Sequence, residues 1–104
     1  MNRETILMRK IMATLSKAGH FVMRTNAGVF YNANGDKVRI GFPGLSDLVG
    51  CTSEGRFFAI EVKLPGEHPR EDQQKFLDAM RNAGAIAGCA HSEEEALRIV
   101  CSKT

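Results

Sequence analysis

Residues 47–63 read DLVGCTSEGRFFAIEVK, two apolar runs separated by a short polar segment. Side chains of a β-strand alternate between the two faces of a sheet, so Glu61 and Lys63 share one face. The segment Thr52–Gly55 is typical of a hairpin turn, which would place Asp47 roughly opposite Glu61, at about 5 Å or slightly more. The stretch therefore predicts an antiparallel hairpin that carries two carboxylates and a lysine side by side.

The segments on either side of this hairpin predict helices and one more strand. Apolar residues recur at three- and four-residue steps from Arg3 to Ala18, as on one face of an α-helix. A second helix is predicted from Pro69 to Asn82, and a third opens at Ser92, which forms a capping-box pair with Glu95. The strand Ala85–Cys89 follows a helix, so it is expected to join the sheet in parallel through a right-handed crossover.

Three further short runs of β type precede the hairpin, namely Phe21–Arg24, Val29–Tyr31 and Val38–Ile40. Asn34-Gly35 is a turn signal that could pair the second run with the third. The pattern as a whole predicts one α/β domain over residues 1–104, with a mixed β-sheet flanked by helices.

Composition limits the class of protein. The chain has 104 residues, 43% of them hydrophobic, which is about one small domain with a single core. No apolar run approaches the ~18 residues that span a bilayer, so a soluble, cytoplasmic protein is expected. The three cysteines, Cys51, Cys89 and Cys101, lack the spacing of a zinc cluster and are expected to be ordinary buried or semi-buried thiols.

The distribution of charge is uneven along the chain. Residues 1–40 hold seven Lys or Arg against two acidic residues, whereas residues 41–104 hold seven against ten. A basic first part beside an acidic cluster fits a polyanion binder that also binds cations. Arg9, Lys10 and Lys17 more often form a solvated helix face, yet some of them would meet phosphate if DNA approached the first helix.

The acidic residues and the lysine match a known nuclease pattern. Asp47, followed after thirteen residues by Glu61-x-Lys63, has the spacing of the PD-(D/E)XK nuclease superfamily. The context, from Gly41-Phe42-Pro43-Gly44 through this motif to Gln73, resembles the VRR-NUC family of virus-type replication-repair nucleases. Ser46 departs from that family, which often has proline before the aspartate, and this affects only the local turn.

This resemblance covers nearly the whole chain. The chain looks like a minimal, stand-alone member of the family. The resemblance implies a restriction-endonuclease-like sheet with the approximate order αβββ(β)αβα. It also implies that Asp47 and Glu61 bind Mg²⁺ or Mn²⁺, that Lys63 completes the catalytic motif, and that Gln73 reaches the same site. Glu4 corresponds in position to a first-helix glutamate of related resolvase-like nucleases.

The chemistry of these residue types supports the implied roles. Mg²⁺ prefers oxygen ligands and keeps several waters, so two carboxylates and a backbone carbonyl, that of Val62, would leave room for water and a phosphate. Glu4 is a further candidate ligand. Other interpretations stay open: Glu4 could serve as a first-turn acid of its helix, Lys63 as an edge-strand lysine, and Gln73 as a surface position with Gln74 in its place.

The resemblance implies a divalent-metal-dependent, structure-specific DNA endonuclease from a bacterial cell or a phage-infected host. Four-way (Holliday) junctions or other branched DNA are the expected substrates. One chain supplies one active site, so symmetric cutting of two strands needs a homodimer. The alternatives are a nuclease on flap or linear duplex DNA and, from another class, a non-catalytic DNA-binding module of a replication or repair complex.

Overall fold

The structure is a computed structural model, and it describes residues 1–101. Nine elements follow one another along the chain: α1 (Arg3–Lys17), β1 (Phe21–Arg24), β2 (Gly28–Tyr31), β3 (Lys37–Ile40), β4 (Leu48–Cys51), β5 (Phe57–Val62), α2 (Glu71–Asn82), β6 (Ile86–Ala90) and α3 (Glu93–Val100). The predicted α/β class with a mixed sheet is confirmed. The described residues contain no helix that is both long and apolar enough to cross a membrane.

Four strands form the main sheet in the order β1-β4-β5-β6. The pairs β1–β4 and β4–β5 are antiparallel. The strand β6 pairs with β5 in parallel, which confirms the predicted parallel pairing of the two strands that α2 connects. Within the hairpin Leu48 pairs with Ile60, so the register puts Asp47 opposite Glu61, as the spacing predicted.

The strands β2 and β3 form a separate antiparallel ribbon, joined through the predicted turn at Asn34-Gly35. Asn32 closes this turn, because its Oδ1 accepts hydrogen bonds from the amides of Asn34 and Asp36, both at 2.9 Å. Every residue from 29 to 43 is exposed. Five strands therefore precede α2, and two of them lie outside the main sheet.

The core has two layers, one on each face of the sheet. Phe58, Ile60 and Val62 pack with apolar residues of α1 and α3 on one face. Ala59 packs with Leu77 of α2 on the other face. Because side chains alternate along a strand, Glu61 faces the α2 side of the sheet, together with Asp47 of the neighbouring strand.

The helix ends differ from the predicted ones in detail. The second helix begins at Glu71, after Pro69, because Gln73 Oε1 accepts a hydrogen bond from the Arg70 amide and ends the loop there. The capping box at Ser92 is half formed. Ser92 Oγ accepts from the Glu95 amide at 3.1 Å, but the Glu95 carboxylate accepts from the His91 amide at 3.2 Å.

The close contact between β1 and β4 gives a prediction for folding stability. A Cβ on Gly50 would overlap the Phe21 carbonyl and lie 2.5 Å from the Phe58 ring. Gly50→Ala is therefore expected to lower the free energy of unfolding by about 2–4 kcal/mol in urea denaturation. Gly66→Ala is the control: it meets open space and carries only the backbone cost of φ +88°, about 1 kcal/mol. Equal losses in the two variants would contradict this packing.

Candidate active site

Asp47 stands just before β4 and is tied to the end of β5. Its Oδ2 accepts a hydrogen bond from the Val62 amide at 2.9 Å. The hairpin register brings these groups together, and the bond fixes the carboxylate of Asp47 beside Glu61. The backbone of Val62, whose carbonyl is a predicted ligand, therefore lies next to both carboxylates.

Glu61 is a buried carboxyl group with 1% of its surface exposed. Burial, then a hydrogen bond with Asp47 and the charge of Asp47, raise its pKa to about 9, while Lys63 opposes the shift. Its Oε2 atom is buried without a hydrogen-bond partner among the described residues. A buried polar atom without a partner costs free energy of folding, so a ligand that offers this oxygen a hydrogen bond or a positive charge would stabilise the site.

Lys63 and Glu4 belong to the same electrostatic cluster. Lys63 lies one residue past β5, and its ammonium lowers the pKa of Glu61. Glu4, in the first turn of α1, has a raised pKa, first because of burial and then because of the negative charge of Asp47, with Lys63 opposing. The packing of α1 thus brings Glu4 near Asp47, Glu61 and Lys63, and its role as a ligand stays a prediction.

Gln73 occupies the first turn of α2 and is 7% exposed. Its Oε1 accepts from the Arg70 amide at 2.8 Å, so that oxygen already caps the helix. This turn packs tightly on the loop before Asp47, since a Cβ on Gly44 would overlap the Asp72 carbonyl. A role of Gln73 in the site stays a prediction. Gln74 instead bonds Asp78 along the helix, at 3.0 Å.

The side chains of the site determine which kind of metal ion they could bind. Within residues 1–101 no three His, Cys, Asp or Glu side chains are grouped to hold an ion by themselves. Mg²⁺ does not require such a group, because it is commonly held by one or two carboxylates with water and substrate phosphate completing its shell. The unpartnered Oε2 of Glu61 beside Asp47 fits an oxygen-binding cation of this type.

Sequence reasoning missed Thr25, and it noted Ser46 only as a departure from the family pattern. The Thr25 amide donates to the Asp47 carbonyl at 3.0 Å, and its Oγ1 donates to the Ser46 carbonyl at 2.8 Å. Ser46 is fully buried, and its hydroxyl donates to the Leu48 carbonyl at 3.0 Å, a bond that proline could not make. These contacts fix the backbone around Asp47. Nothing local in the sequence identifies Thr25, which lies 22 residues away.

The described cysteines are free thiols; Cys51 and Cys89 are half-buried, as expected, whereas Cys101 is exposed. Cys89 pairs with Glu61 across the β5–β6 ladder. Burial, followed by the negative charge of Glu61, raises the pKa of Cys89 to about 11. The thiol therefore stays protonated near neutral pH, which makes it a poor nucleophile there.

His91 is hydrogen-bonded to the loop that follows Lys63. Its Nδ1 lies 2.7 Å from Glu95 Oε1, and its Nε2 lies 2.7 Å from the Glu67 carbonyl. Both partners are acceptors, so the arrangement favours the doubly protonated imidazolium. The bond to Glu95, then the bond to Glu67, raise the pKa of His91, and burial opposes them.

This arrangement predicts a pH dependence. His91 is expected to titrate above its ordinary value of 6.5 when its ring is followed by NMR, and Glu95→Gln is expected to lower that pKa. The stabilisation from the imidazolium is complete below about pH 6.5 and is lost as pH rises through the raised pKa. Glu94→Gln, an exposed change on the same helix, serves as the control and should leave the titration unchanged. A fall of the His91 pKa in both variants would contradict the assignment to Glu95.

The three basic residues suggested for DNA binding, Arg9, Lys10 and Lys17, are exposed on α1. Their side chains are accessible to a polyanion, and their role in binding stays a prediction.

Comparison with known proteins gives two matches. The model of the VRR-NUC domain family matches residues 7–94. A solved structure described as a VRR_NUC domain superimposes with a TM-score of 0.70 at 16% sequence identity, and the alignment covers 100% of each chain. At that identity the structural likeness establishes a shared fold. No curated protein matches the chain.

Proposed function

This chain belongs to the VRR-NUC family of PD-(D/E)XK-type nuclease domains, and we propose that it is a divalent-metal-dependent, structure-specific DNA endonuclease. One observation carries the proposal beyond the family assignment. Among residues 1–101, a buried carboxyl oxygen of Glu61 has no hydrogen-bond partner, and it lies beside Asp47 and near the positive charge of Lys63. That combination fits hydrolysis of a phosphodiester bond.

The oxygen donors of the site are proposed to bind a divalent cation. Asp47 and Glu61 would hold Mg²⁺ or Mn²⁺, with the Val62 carbonyl and Glu4 as further oxygen donors. Such a cation, when bound, makes a water more acidic and neutralises charge on phosphate. Glu61 must release its proton to act as a ligand, because only the carboxylate binds metal.

Lys63 supplies the fixed positive charge of the site. Its ammonium can stabilise a hydroxide nucleophile and the negative charge that develops on the phosphate oxygens. The same charge favours the ionised form of Glu61, since Lys63 lowers the pKa of that carboxyl. Gln73 is proposed to orient water or phosphate through its amide nitrogen.

Branched DNA is the proposed substrate, and a homodimer the proposed active form. The ribbon supports the dimer: Phe30, Val38 and Ile40 are 47%, 40% and 45% exposed, and the β2–β3 register puts them on one face. A face of this kind is typical of a protein–protein contact. A symmetric dimer would present two active sites to the two strands of a junction.

A cleavage assay tests the proposal. Labelled four-way junction, flap and linear duplex are incubated with the protein in Mg²⁺, Mn²⁺ or EDTA, beside Asp47→Ala and Lys63→Ala variants. Cleavage of the junction in either cation, lost in EDTA and in both variants, is expected. Binding without cleavage of any substrate would contradict the nuclease and favour a DNA-binding module. Equal rates on linear and branched DNA would contradict only the branched substrate.

A further inference from the structure

The ribbon of β2 and β3 has two chemically different faces. Val29 lies opposite Arg39, and Tyr31 opposite Lys37. Because directly paired residues share a face, these four side chains stand together on the side opposite Phe30, Val38 and Ile40. We call this group of four, Val29, Tyr31, Lys37 and Arg39, the cationic face.

The cationic face is available to a polyanion. All four of its residues are exposed, and Tyr31 is 70% exposed. Within the described part of the chain neither Lys37 nor Arg39 forms an ion pair. The two strands contain no acidic residue. The one acidic residue of the ribbon is Asp36, which lies in the turn between the strands. Two cations at alternate strand positions lie about 7 Å apart, comparable to neighbouring phosphates on one DNA strand.

The root of the ribbon is joined to the active site. On the β2 side, Thr25 is hydrogen-bonded to the backbone carbonyls of Ser46 and Asp47. On the β3 side, Gly41 packs so closely on Leu45 that a Cβ would lie 2.8 Å from the Leu45 side chain. Both ends of the ribbon therefore contact the segment that carries Asp47, which places the base of the ribbon next to the site.

We propose that the cationic face is a DNA-binding arm: Lys37 and Arg39 contact the phosphates of a duplex arm whose scissile phosphate lies at the active site, and Tyr31 packs beside them. The inference rests on the proposed function, since it names the surface that holds the substrate. Charge complementarity selects DNA for this face, while the apolar face of the same ribbon remains free for the second copy.

Equilibrium binding tests the arm directly. Labelled junction DNA is titrated in EDTA with the unmutated protein, with Lys37→Ala/Arg39→Ala, and with Lys75→Ala/Arg98→Ala, which removes two exposed cations from α2 and α3. We expect the ribbon variant to bind about tenfold more weakly, with the slope of log K against log salt smaller by about 2. The control variant should bind within about twofold of the unmutated protein. Lys37→Arg/Arg39→Lys should restore affinity because it keeps both charges.

Cleavage separates this inference from the proposed function. At saturating junction DNA in Mg²⁺ the Lys37→Ala/Arg39→Ala variant should keep its kcat within about twofold and show a raised KM. Cleavage with unchanged affinity and salt slope in this variant would overturn the arm and leave the nuclease standing. Ribbon-dependent binding without any cleavage would leave the arm standing and overturn the nuclease. Loss of a dimer in the variant, measured by sedimentation, would assign the cationic face to the second copy and overturn the arm.

Discussion

An Asp47→Asn protein is expected to cleave DNA about 1,000-fold more slowly than the unmutated protein. Asparagine keeps a side-chain oxygen that can accept the hydrogen bond from the Val62 amide, now 2.9 Å from Asp47 Oδ2. The backbone geometry of the hairpin is thereby retained, and only the negative charge is lost. A cation then lacks half of the charge that the two carboxylates offer.

Single-turnover cleavage in Mg²⁺ measures this effect, with urea denaturation as a check on folding. Asp78→Asn is the matched control, since Asp78 is an exposed acid of α2 that bonds Gln74 and Arg81. The control should cleave at the unmutated rate. If the Asp47→Asn protein keeps more than about a tenth of the activity, Asp47 is not part of the catalytic centre.

Glu61→Gln is expected to stabilise the metal-free protein at pH 8 by about 4–5 kcal/mol. The pKa of Glu61 is about 9 in the folded protein against an ordinary value of 4.5. Its contribution to stability is therefore complete below pH 4.5 and is lost progressively as pH rises towards 9. Glutamine imitates the neutral carboxylic acid and carries no such loss.

Urea denaturation in EDTA at pH 5 and pH 8 tests this expectation. The unmutated protein should lose stability between these values, and Glu61→Gln should lose much less. Glu54→Gln, an exposed change in the hairpin turn, is the control and should follow the unmutated protein. If Glu61→Gln destabilises the protein equally at both pH values, Glu61 is ionised in the folded protein and the raised pKa assigned to it is wrong.

Local patterns account for the parts of the fold that were predicted correctly. The hairpin between Asp47 and Lys63 depends on strand alternation and one turn, which are properties of adjacent residues. The same holds for the turn at Asn34-Gly35 and for the N-cap at Ser92. The register that brings Asp47 opposite Glu61 follows from these local features. The relative positions of Asp47, Glu61 and Lys63 could therefore be predicted from the spacing of these residues in the sequence.

The rest of the site depends on contacts between distant segments. Thr25 reaches the Asp47 carbonyl, and His91 reaches the Glu67 carbonyl, only because packing brings their elements together. Periodicity carries no information about such pairs. The size of the shift in the pKa of Glu61 was likewise inaccessible, because it arises from burial in the folded protein and from the neighbouring Asp47.

The ribbon shows a different limit. Its strands and turn were predicted, but the pattern could not tell whether they would join the main sheet. Alternation of Lys37, Val38, Arg39 and Ile40 fits either outcome, because one face is polar and the other apolar in both. The separate ribbon leaves both of its faces exposed. The apolar face carries the proposal for the dimer, and the cationic face carries the proposal for the DNA-binding arm.

Titration calorimetry with Mn²⁺ tests the central claim most directly, namely that Asp47 and Glu61 form a cation site. At pH 7.5 the unmutated protein should bind Mn²⁺ and release a proton, seen as a binding enthalpy that changes with the ionisation enthalpy of the buffer. Glu61→Gln should bind at least about tenfold more weakly and release no proton. Equal affinity in the two proteins, or binding without proton release, would contradict the account.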